Sequence, residues 1–158
     1  MKSTTSQMRL DYWTLALDML RDAQIELYQN ISTGKDHWRN ASSGVSSCSY
    51  ALIHLKKEIR VELSLSRAEA QENTWLFDQL MQQKYEIEAK FDDQIEWMRL
   101  SDKKSSRIQF STPCEGYDRE RWPEYVAWHV EHIQKWEKAL SGPIAELNQS
   151  LKARGTFE

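Results

Sequence analysis

The sequence has little of what defines several large classes of protein. It contains only two cysteines, Cys48 and Cys114, and their spacing fits neither a metal site nor a disulfide framework. No stretch approaches the roughly 20 apolar residues of a membrane span, and Met1 to Leu10 lack the apolar core of a secretion signal. We therefore expect a cytoplasmic protein with no membrane segment and no cofactor.

A large excess of one charge is also missing. The 21 Lys and Arg residues and 24 Asp and Glu residues give a formal net charge of -3. This balance excludes a globally basic nucleic-acid binder, but it leaves a local basic patch open. With 40% hydrophobic residues and 158 residues in all, the chain fits one globular domain, which we predict over residues 1–158.

Hydrophobic periodicity and turn residues divide this domain into segments. Apolar residues recur in steps of three and four from Met8 to Ile31, which predicts a long helix at the N-terminus. Ser66-Arg-Ala-Glu69 resembles a capping box, so a helix is expected from there to about Phe91. The predicted segments are an N-terminal helix in 1–31, a polar loop over 32–47, two hairpins with the intervening helix over 48–110, and C-terminal helices over 117–151, interrupted at Ser141-Gly-Pro143.

The first hairpin has a register that sorts its side chains cleanly. A turn at Lys56-Lys57 places the following pairs on one apolar face: His54 with Ile59, Leu52 with Val61, and Tyr50 with Leu63. The other face then pairs Ile53 with Arg60 and Ala51 with Glu62. A slip of one residue would mix the two sets, so the pattern supports this register.

The second hairpin and the order of elements set the predicted fold. Its arms are expected at 95–100 and 107–110, with the turn at 101–106. The order helix, hairpin, helix, hairpin, helix, helix predicts an α+β fold with a four-stranded antiparallel sheet flanked by helices. The turn and second strand of the first predicted hairpin resemble those of the second hairpin. Lys56-Lys57-Glu-Ile-Arg60-Val-Glu-Leu63 aligns with Lys103-Lys104-Ser-Ser-Arg107-Ile-Gln-Phe110. This similarity suggests the hypothesis of a duplicated ββα unit.

A series of short motifs between about residues 38 and 140 resembles one known family. The motifs are Arg60-Val-Glu-Leu63, Phe77-Asp-Gln-Leu80, Ile87-Glu88, Ile95-Glu-Trp97, Lys104-Ser-Ser-Arg-Ile108 and the tryptophan-bearing helix from Trp122. Together they resemble the bacterial and archaeal family called domain of unknown function 4268. The resemblance implies a setting of DNA processing or defence, because members often follow a nuclease-like region, and it carries over no catalytic residues.

A polar face of the predicted sheet is the first candidate site. Arg60 and Glu62 point the same way on one strand, and Arg107 falls on the same side if its neighbours Ile108 and Phe110 face the core. Arginines here would grip a carboxylate or phosphate while Trp97 stacks on the ligand. The alternative is a solvated face with cross-strand ion pairs. The register of the third strand, which decides whether Glu96 or Trp97 lies beside them, stays open.

The tips of the two hairpins carry paired lysines. Lys56 and Lys57 occupy the first tip, and Lys103 and Lys104 the second. Two such tips would form prongs that contact adjacent phosphates of a nucleic acid. Lysine is also a common device against edge-to-edge aggregation, so solubility is the alternative role.

Two tryptophans lie off the apolar stripes of their helices, which is typical of a protein interface. These are Trp75 and Trp128, and a homodimer formed through such a helix face is one hypothesis. His129, in contrast, lies on an apolar stripe and is expected to be a hydrogen-bonded core residue.

The function expected from these features is that of a binding or accessory module, not an enzyme, acting on nucleic acid or a protein. One alternative is a protein-interaction or assembly module without nucleic acid. Another is a small metal-dependent hydrolase acting through Glu62, although no metal-ligand spacing is present.

Overall fold

The computed structural model describes residues 4–100 and 103–154. The helices are α1 Thr5–Asp22, α2 Ala70–Gln82, α3 Lys84–Phe91 and α4 Trp122–Arg154, with 3-10 turns at Glu26–Tyr28 and Arg119–Arg121. The strands are β1 Trp38–Ser42, β2 Cys48–His54, β3 Glu58–Leu65, β4 Glu96–Met98 and β5 Ser106–Pro113.

The strands form one open antiparallel sheet in the order β1-β2-β3-β5-β4. The α+β class is confirmed, but the sheet has five strands where the sequence predicted four. The fifth is β1, which lies inside the predicted polar loop. Only Ala41 of β1 is fully buried, because an edge strand needs few apolar side chains, and this strand therefore left no hydrophobic alternation in the sequence.

The chain divides into two compact units. The first holds the described residues up to Ala41, together with Ala51–Val61 and Ser111–Gln134. The second holds Ser42–Tyr50, the described part of Glu62–Phe110, and the described residues from Lys135 onward. Because the boundaries fall within β1, β2, β3 and β5, each unit contains part of the sheet. The expectation of a single domain stays a prediction.

The first unit is built on α1 and the first part of α4. Thr4 caps α1 by accepting a hydrogen bond from the Gln7 amide at 3.0 Å. The helix ends at Asp22, nine residues before the predicted end. The cause is a left-handed residue at Gln24, with φ of 60°, followed by a hydrogen bond from the Ile25 amide to the Leu20 carbonyl at 3.0 Å. This is a Schellman-type ending without the usual glycine.

The apolar face predicted for the first hairpin is buried in both units. His54, Ile59, Leu52 and Val61 are each 0% exposed in the first unit, and Tyr50 and Leu63 are 1% and 0% exposed in the second. The opposite face is covered too at several positions, since Ala51, Ile53 and Glu62 are also buried. The alternative of a solvated sheet face therefore does not hold at these positions, which are shielded from solvent.

The second unit contains α2 and α3, which the sequence predicted as one helix. Gln83, with φ of -102° and ψ of 16°, separates them. The predicted capping box does not form, because α2 begins at Ala70 and its N-cap Glu69 makes no side-chain capping bond. At the core of this unit, Phe91 packs edge-on against Phe110 and Trp136, with ring centroids 4.9 and 5.2 Å apart.

The C-terminal helix α4 continues through Pro143, where the sequence predicted an interruption. Proline disfavours a helix interior by about 3 kcal/mol. Burial of apolar side chains on both sides of the proline offsets this cost. These side chains are Leu140, Ile144, Leu147 and Leu151.

Candidate functional site

In the second unit, Glu62 and Arg107 of the polar sheet face form a mostly buried ion pair. Glu62 is 7% exposed, and its Oε2 lies 4.0 Å from Nε of Arg107. This distance allows an ion pair but is too long for a hydrogen bond. Nη2 of Arg107 also contacts Sδ of Met98 at 3.6 Å. The arginine is therefore engaged within the unit and presents little free charge to a ligand.

The register of β4 against β5 decides which residue lies beside Arg107. Met98 is opposite Arg107, and Glu96 is opposite Gln109, while Trp97 is opposite the buried Ile108. Because side chains alternate along a strand, Trp97 points to the other face. The structure therefore brings Glu96 and not Trp97 to the side of Arg107.

Trp97 packs beneath the helices of the second unit. Its ring meets Phe77 edge-on at 6.2 Å, and its Nε1 donates to Oε2 of Glu88 at 3.4 Å. A half-buried ring held in this way has a packing role. It does not form the stacking platform that the sequence suggested next to the arginines.

Arg60 belongs to the first unit and is also held by a carboxylate. Its Nε donates to Oε2 of Glu58 at 3.0 Å, and its side chain is 18% exposed. An arginine already paired and mostly covered gives a ligand anion little additional stabilisation. The sheet face is therefore a weaker candidate site than its sequence suggested.

The first hairpin tip is fastened by a neighbouring segment of the same unit. The Leu55 amide bonds the Glu58 carbonyl at 2.9 Å, so the turn lies at Lys56 and Lys57 as predicted. The amide of Gly116 donates to the Lys56 carbonyl at 2.8 Å. Lys57 pairs with Glu115 at 3.4 Å, whereas Lys56 is exposed and forms no ion pair within the described chain.

The second hairpin tip is anchored by a residue that sequence reasoning missed. Nδ2 of the fully buried Asn73 donates to the carbonyls of Arg67 and Lys104 at 3.0 and 3.1 Å. Its position three and four residues before Leu76 and Phe77 was the available signal, because it puts a polar amide on the core stripe of α2. Lys103 and Lys104 are exposed, and among the described residues neither forms an ion pair.

Trp75 borders an open groove in the second unit. The groove has a volume of about 410 Å³ and is lined by Ala70, Gln71, Thr74, Trp75, Asp78 and Arg154. The Arg154 guanidinium lies 5.6 Å from the centre of the Trp75 ring. Asp78 is held by two hydrogen bonds from Arg99, both 3.1 Å long. Sequence reasoning missed Arg154, because only the fold brings the end of α4 to α2.

Trp128 borders a smaller cavity in the first unit. This cavity has a volume of about 180 Å³, and Trp128 is half-buried and stacked on His132 with ring centroids 4.1 Å apart. Cys114 lines the same cavity. Burial raises the pKa of its thiol to about 11, so the thiol stays protonated at neutral pH and is a poor nucleophile.

A buried cluster of Tyr12, His54 and His129 lies in the core of the first unit. Nε2 of His129 lies 3.1 and 3.2 Å from two carbonyl oxygens, those of Ile53 and Arg60. This nitrogen must donate, so Nδ1 accepts the Tyr12 hydroxyl proton at 2.7 Å. His129 is thus the hydrogen-bonded core histidine that the sequence predicted. Burial lowers its pKa to about 3 and that of His54 to about 4.

The described residues contain neither a metal-binding cluster nor a membrane-spanning helix. Within residues 4–100 and 103–154, no group of three or more His, Cys, Asp or Glu side chains is placed to hold a metal ion. None of the helices in this part of the chain combines the length and apolar character that crossing a membrane requires.

The fold and these surfaces define an α+β protein with an open antiparallel sheet and a tryptophan-lined groove. The chain belongs to the family described as domain of unknown function (DUF4268), whose model matches residues 8–144. The resemblance seen in the sequence is therefore confirmed. No curated protein and no solved structure shows a significant match to the chain.

Proposed function

We propose that this chain is a protein-interaction module whose docking surface is the groove beside Trp75. One observation carries the proposal: a half-buried tryptophan and an arginine together border an open groove of about 410 Å³. Tryptophan and arginine are the residue types most enriched among interface residues that dominate binding energy. The open groove has the size to receive side chains from a partner surface.

The charges of the groove also favour a protein over a nucleic acid. Asp78 and Arg154 contribute one charge of each sign, and Ala70, Gln71 and Thr74 contribute none. A phosphate backbone requires a surplus of positive charge, which this surface lacks. The surface of a partner protein has groups of both polarities, so it pairs with both charges and also covers the tryptophan ring.

Site-specific photo-crosslinking in the source cells tests this proposal. A benzophenone side chain replaces Gln71 inside the groove and, as the matched control, Gln82 at the end of the same helix. We expect a covalent adduct with one protein from position 71, its loss when Trp75→Ala is added, and none of that adduct from position 82. Equal labelling from both positions, or labelling insensitive to Trp75→Ala, would show that the groove is not the docking surface.

Nucleic-acid contact through the hairpin tips is the second candidate function. It is favoured by the exposure of Lys56, Lys103 and Lys104, none of which forms an ion pair within the described chain. Hydrogen bonds to backbone carbonyls hold both tips, from the Gly116 amide in the first unit and from the Asn73 side chain in the second. A fixed tip loses less conformational entropy when it binds phosphate than a mobile one would.

Binding to short labelled DNA and RNA at two salt concentrations tests the second function. We expect affinity that falls steeply with salt, and that is lost when Lys56, Lys103 and Lys104 are all changed to Gln. The matched control changes three lysines elsewhere, Lys35, Lys90 and Lys138, to Gln. Binding absent at low salt, or equally reduced by both triple variants, would rule this function out.

The metal-dependent hydrolase has less physical support. Its key residue, Glu62, is buried next to Arg107, and a guanidinium there competes with a divalent cation for the carboxylate. The setting of DNA processing or defence stays a prediction.

A further inference from the structure

We propose that residues 114–118 of the first unit form an acid-sensitive latch, which neutral His54 holds closed and which opens when this histidine is protonated. The latch lies between β5 and the 3-10 turn before α4, and it contains no helix or strand. The inference concerns the first unit alone and does not depend on the groove of the second.

Backbone hydrogen bonds tie the latch to the first hairpin tip. The Cys114 amide donates to the Lys57 carbonyl at 2.9 Å, and the Gly116 amide donates to the Lys56 carbonyl at 2.8 Å. The Glu115 side chain adds an exposed ion pair with Lys57, which contributes little because solvent screens it. Opening of the latch therefore frees the tip from the rest of the unit.

His54 supplies a buried side-chain contact that keeps the latch closed. Its Nε2 lies 2.6 Å from the Gly116 carbonyl oxygen, and a carbonyl can only accept, so Nε2 carries the proton. In the neutral ring Nδ1 is then unprotonated, and this buried atom has no hydrogen-bond partner among the described residues. A proton added to Nδ1 creates a buried charge and a buried donor without an acceptor, which is costly.

The groups around the His54 ring do not compensate a positive charge. The titratable or charged groups that face the ring come from α1, the latch and α4: Arg9, Tyr12, Tyr117 and His129. None of these is a carboxylate, and the charge of Arg9 repels an imidazolium. The stacked Tyr12 ring offers a cation–π attraction, but burial of an unpaired charge costs more. In agreement, burial lowers the pKa of His54 to about 4.

The latch is the neighbour of His54 that moves at the least cost. Water reaches Nδ1 only if one of the groups packed on the ring moves away. Tyr12 on α1 and Trp122 on α4 are 0% and 5% exposed and belong to the core, whereas Gly116 is the only buried residue of the latch. Local opening is concentrated in segments with few buried apolar contacts. Protons bind more tightly to the state in which His54 is hydrated, so acid favours the open latch.

Amide hydrogen exchange of the full chain tests the latch, followed by NMR from pH 7 to pH 5 and corrected for intrinsic exchange rates. We expect the protection of the Cys114 and Gly116 amides to fall about tenfold per pH unit below about pH 6.5. The His54 amide, which donates to the His37 carbonyl at 2.8 Å in the same unit, is the internal reference. It is expected to stay more protected than both at every pH. Equal protection of the three amides would show that the unit opens as a whole and would overturn the latch.

Two variants identify the group that takes up the proton. His54→Gln keeps an amide donor for the Gly116 carbonyl but does not titrate, so we expect the pH dependence of Gly116 protection to disappear. Glu115→Gln, which removes the carboxylate of the latch itself, is the matched control and keeps the wild-type dependence. A dependence that survives in His54→Gln, or that is lost in Glu115→Gln, contradicts the role of His54.

The wild type provides a second readout in case His54→Gln does not fold. NMR of the chain labelled with nitrogen-15 in histidine reports the protonation of each ring nitrogen. We expect the folded state to show His54 with Nε2 protonated and Nδ1 bare, and to keep this signal unchanged from pH 7 to pH 5. A folded-state signal that titrates near pH 6.5 would mean that His54 is protonated without any opening, which would overturn the proposal.

Discussion

At the scale of single residues, the core of the first unit contains a stacked and hydrogen-bonded cluster of Tyr12, His54 and His129. The Tyr12 ring stacks on His54 with centroids 3.8 Å apart, while its hydroxyl donates to His129. Each histidine bonds a backbone carbonyl through Nε2, at Gly116 for His54 and at Ile53 and Arg60 for His129. These polar groups are buried at 0% exposure, so the loss of one bond carries a desolvation cost.

The first prediction concerns the Tyr12 hydroxyl. Tyr12→Phe leaves Nδ1 of His129 buried without a donor, so we expect the free energy of unfolding to fall by about 1–3 kcal/mol. Tyr50→Phe is the matched control, because the buried Tyr50 hydroxyl has no hydrogen-bond partner among the described residues. Urea denaturation measures both. A loss for Tyr50→Phe as large as that for Tyr12→Phe would contradict this assignment.

The second prediction concerns acid stability. Burial lowers the pKa of His54 to about 4 and of His129 to about 3, below the value of about 6.5 for an unfolded chain. Between these values the unfolded state binds more protons than the folded state. The contribution of the two neutral histidines to the free energy of unfolding is therefore fully present above pH 6.5 and is lost as the pH is lowered. The slope contributed by each histidine is about 1.4 kcal/mol per pH unit inside its window.

Urea denaturation at a series of pH values between 7 and 4 measures this slope. A variant His54→Gln is expected to lose one histidine's share of the slope. His37→Gln, whose side chain is exposed in the folded chain, is the control and keeps the wild-type slope. If His54→Gln retains the full slope, burial of His54 is not the source of the acid sensitivity.

At the scale of elements, the segment around Gly116 fastens the first hairpin tip. The Gly116 amide bonds the Lys56 carbonyl, and its carbonyl accepts from His54 Nε2 at 2.6 Å and Trp122 Nε1 at 2.8 Å. One residue thus connects β2, the β2–β3 turn and the start of α4 within the first unit. A side chain at this position would overlap the carbonyl oxygen of Leu55, which explains why the position holds glycine.

The third prediction follows from this close approach. Gly116→Ala is expected to lower the free energy of unfolding by about 1–3 kcal/mol, because backbone atoms must move to admit the methyl group. Gly142→Ala in α4 is the control. No atom outside the neighbouring residues and the local helix backbone lies within 4 Å of an added methyl group there, so the change should be neutral or stabilising by up to about 1 kcal/mol. Thermal or urea unfolding of the two variants gives the comparison, and equal effects would refute the crowding argument.

Elements also show where local sequence patterns stop being informative. The turn at Lys56-Lys57 and the apolar face of its hairpin were predictable, because strand alternation and turn position constrain each other. The strand β1 was not, because a mostly polar edge strand resembles a loop. The continuity of α4 through Pro143 was missed for another reason: local propensity is outweighed by burial of the flanking apolar residues.

At the scale of the whole molecule, charge is spread and mostly compensated. The net charge is -3, and arginines in both units pair with nearby carboxylates. Lys56, Lys103 and Lys104 are exposed and outside such pairs in the described chain. Their removal is therefore expected to leave the fold intact, which makes them suitable positions for testing the proposed nucleic-acid contact.

The fourth prediction makes this separation measurable. Changing Lys56, Lys103 and Lys104 to Gln should leave the free energy of unfolding within about 1 kcal/mol of the wild type, since exposed unpaired charges contribute little. Urea denaturation in low salt is the measurement. A larger loss would mean that these lysines stabilise the fold, and any loss of nucleic-acid binding in the triple variant would then have a structural cause.

The sequence by itself determined the α+β class, the family, the first hairpin turn and the core role of His129. These features follow from periodicity and residue type along short stretches, where each side chain's environment is set by its neighbours in the chain. Tertiary structure decided the rest: the fifth strand, the register that turns Trp97 away from Arg107, the burial of Glu62, and the groove between Trp75 and Arg154. Those features depend on which distant segments meet, because burial and pairing energies between segments far apart in sequence leave no mark on local periodicity.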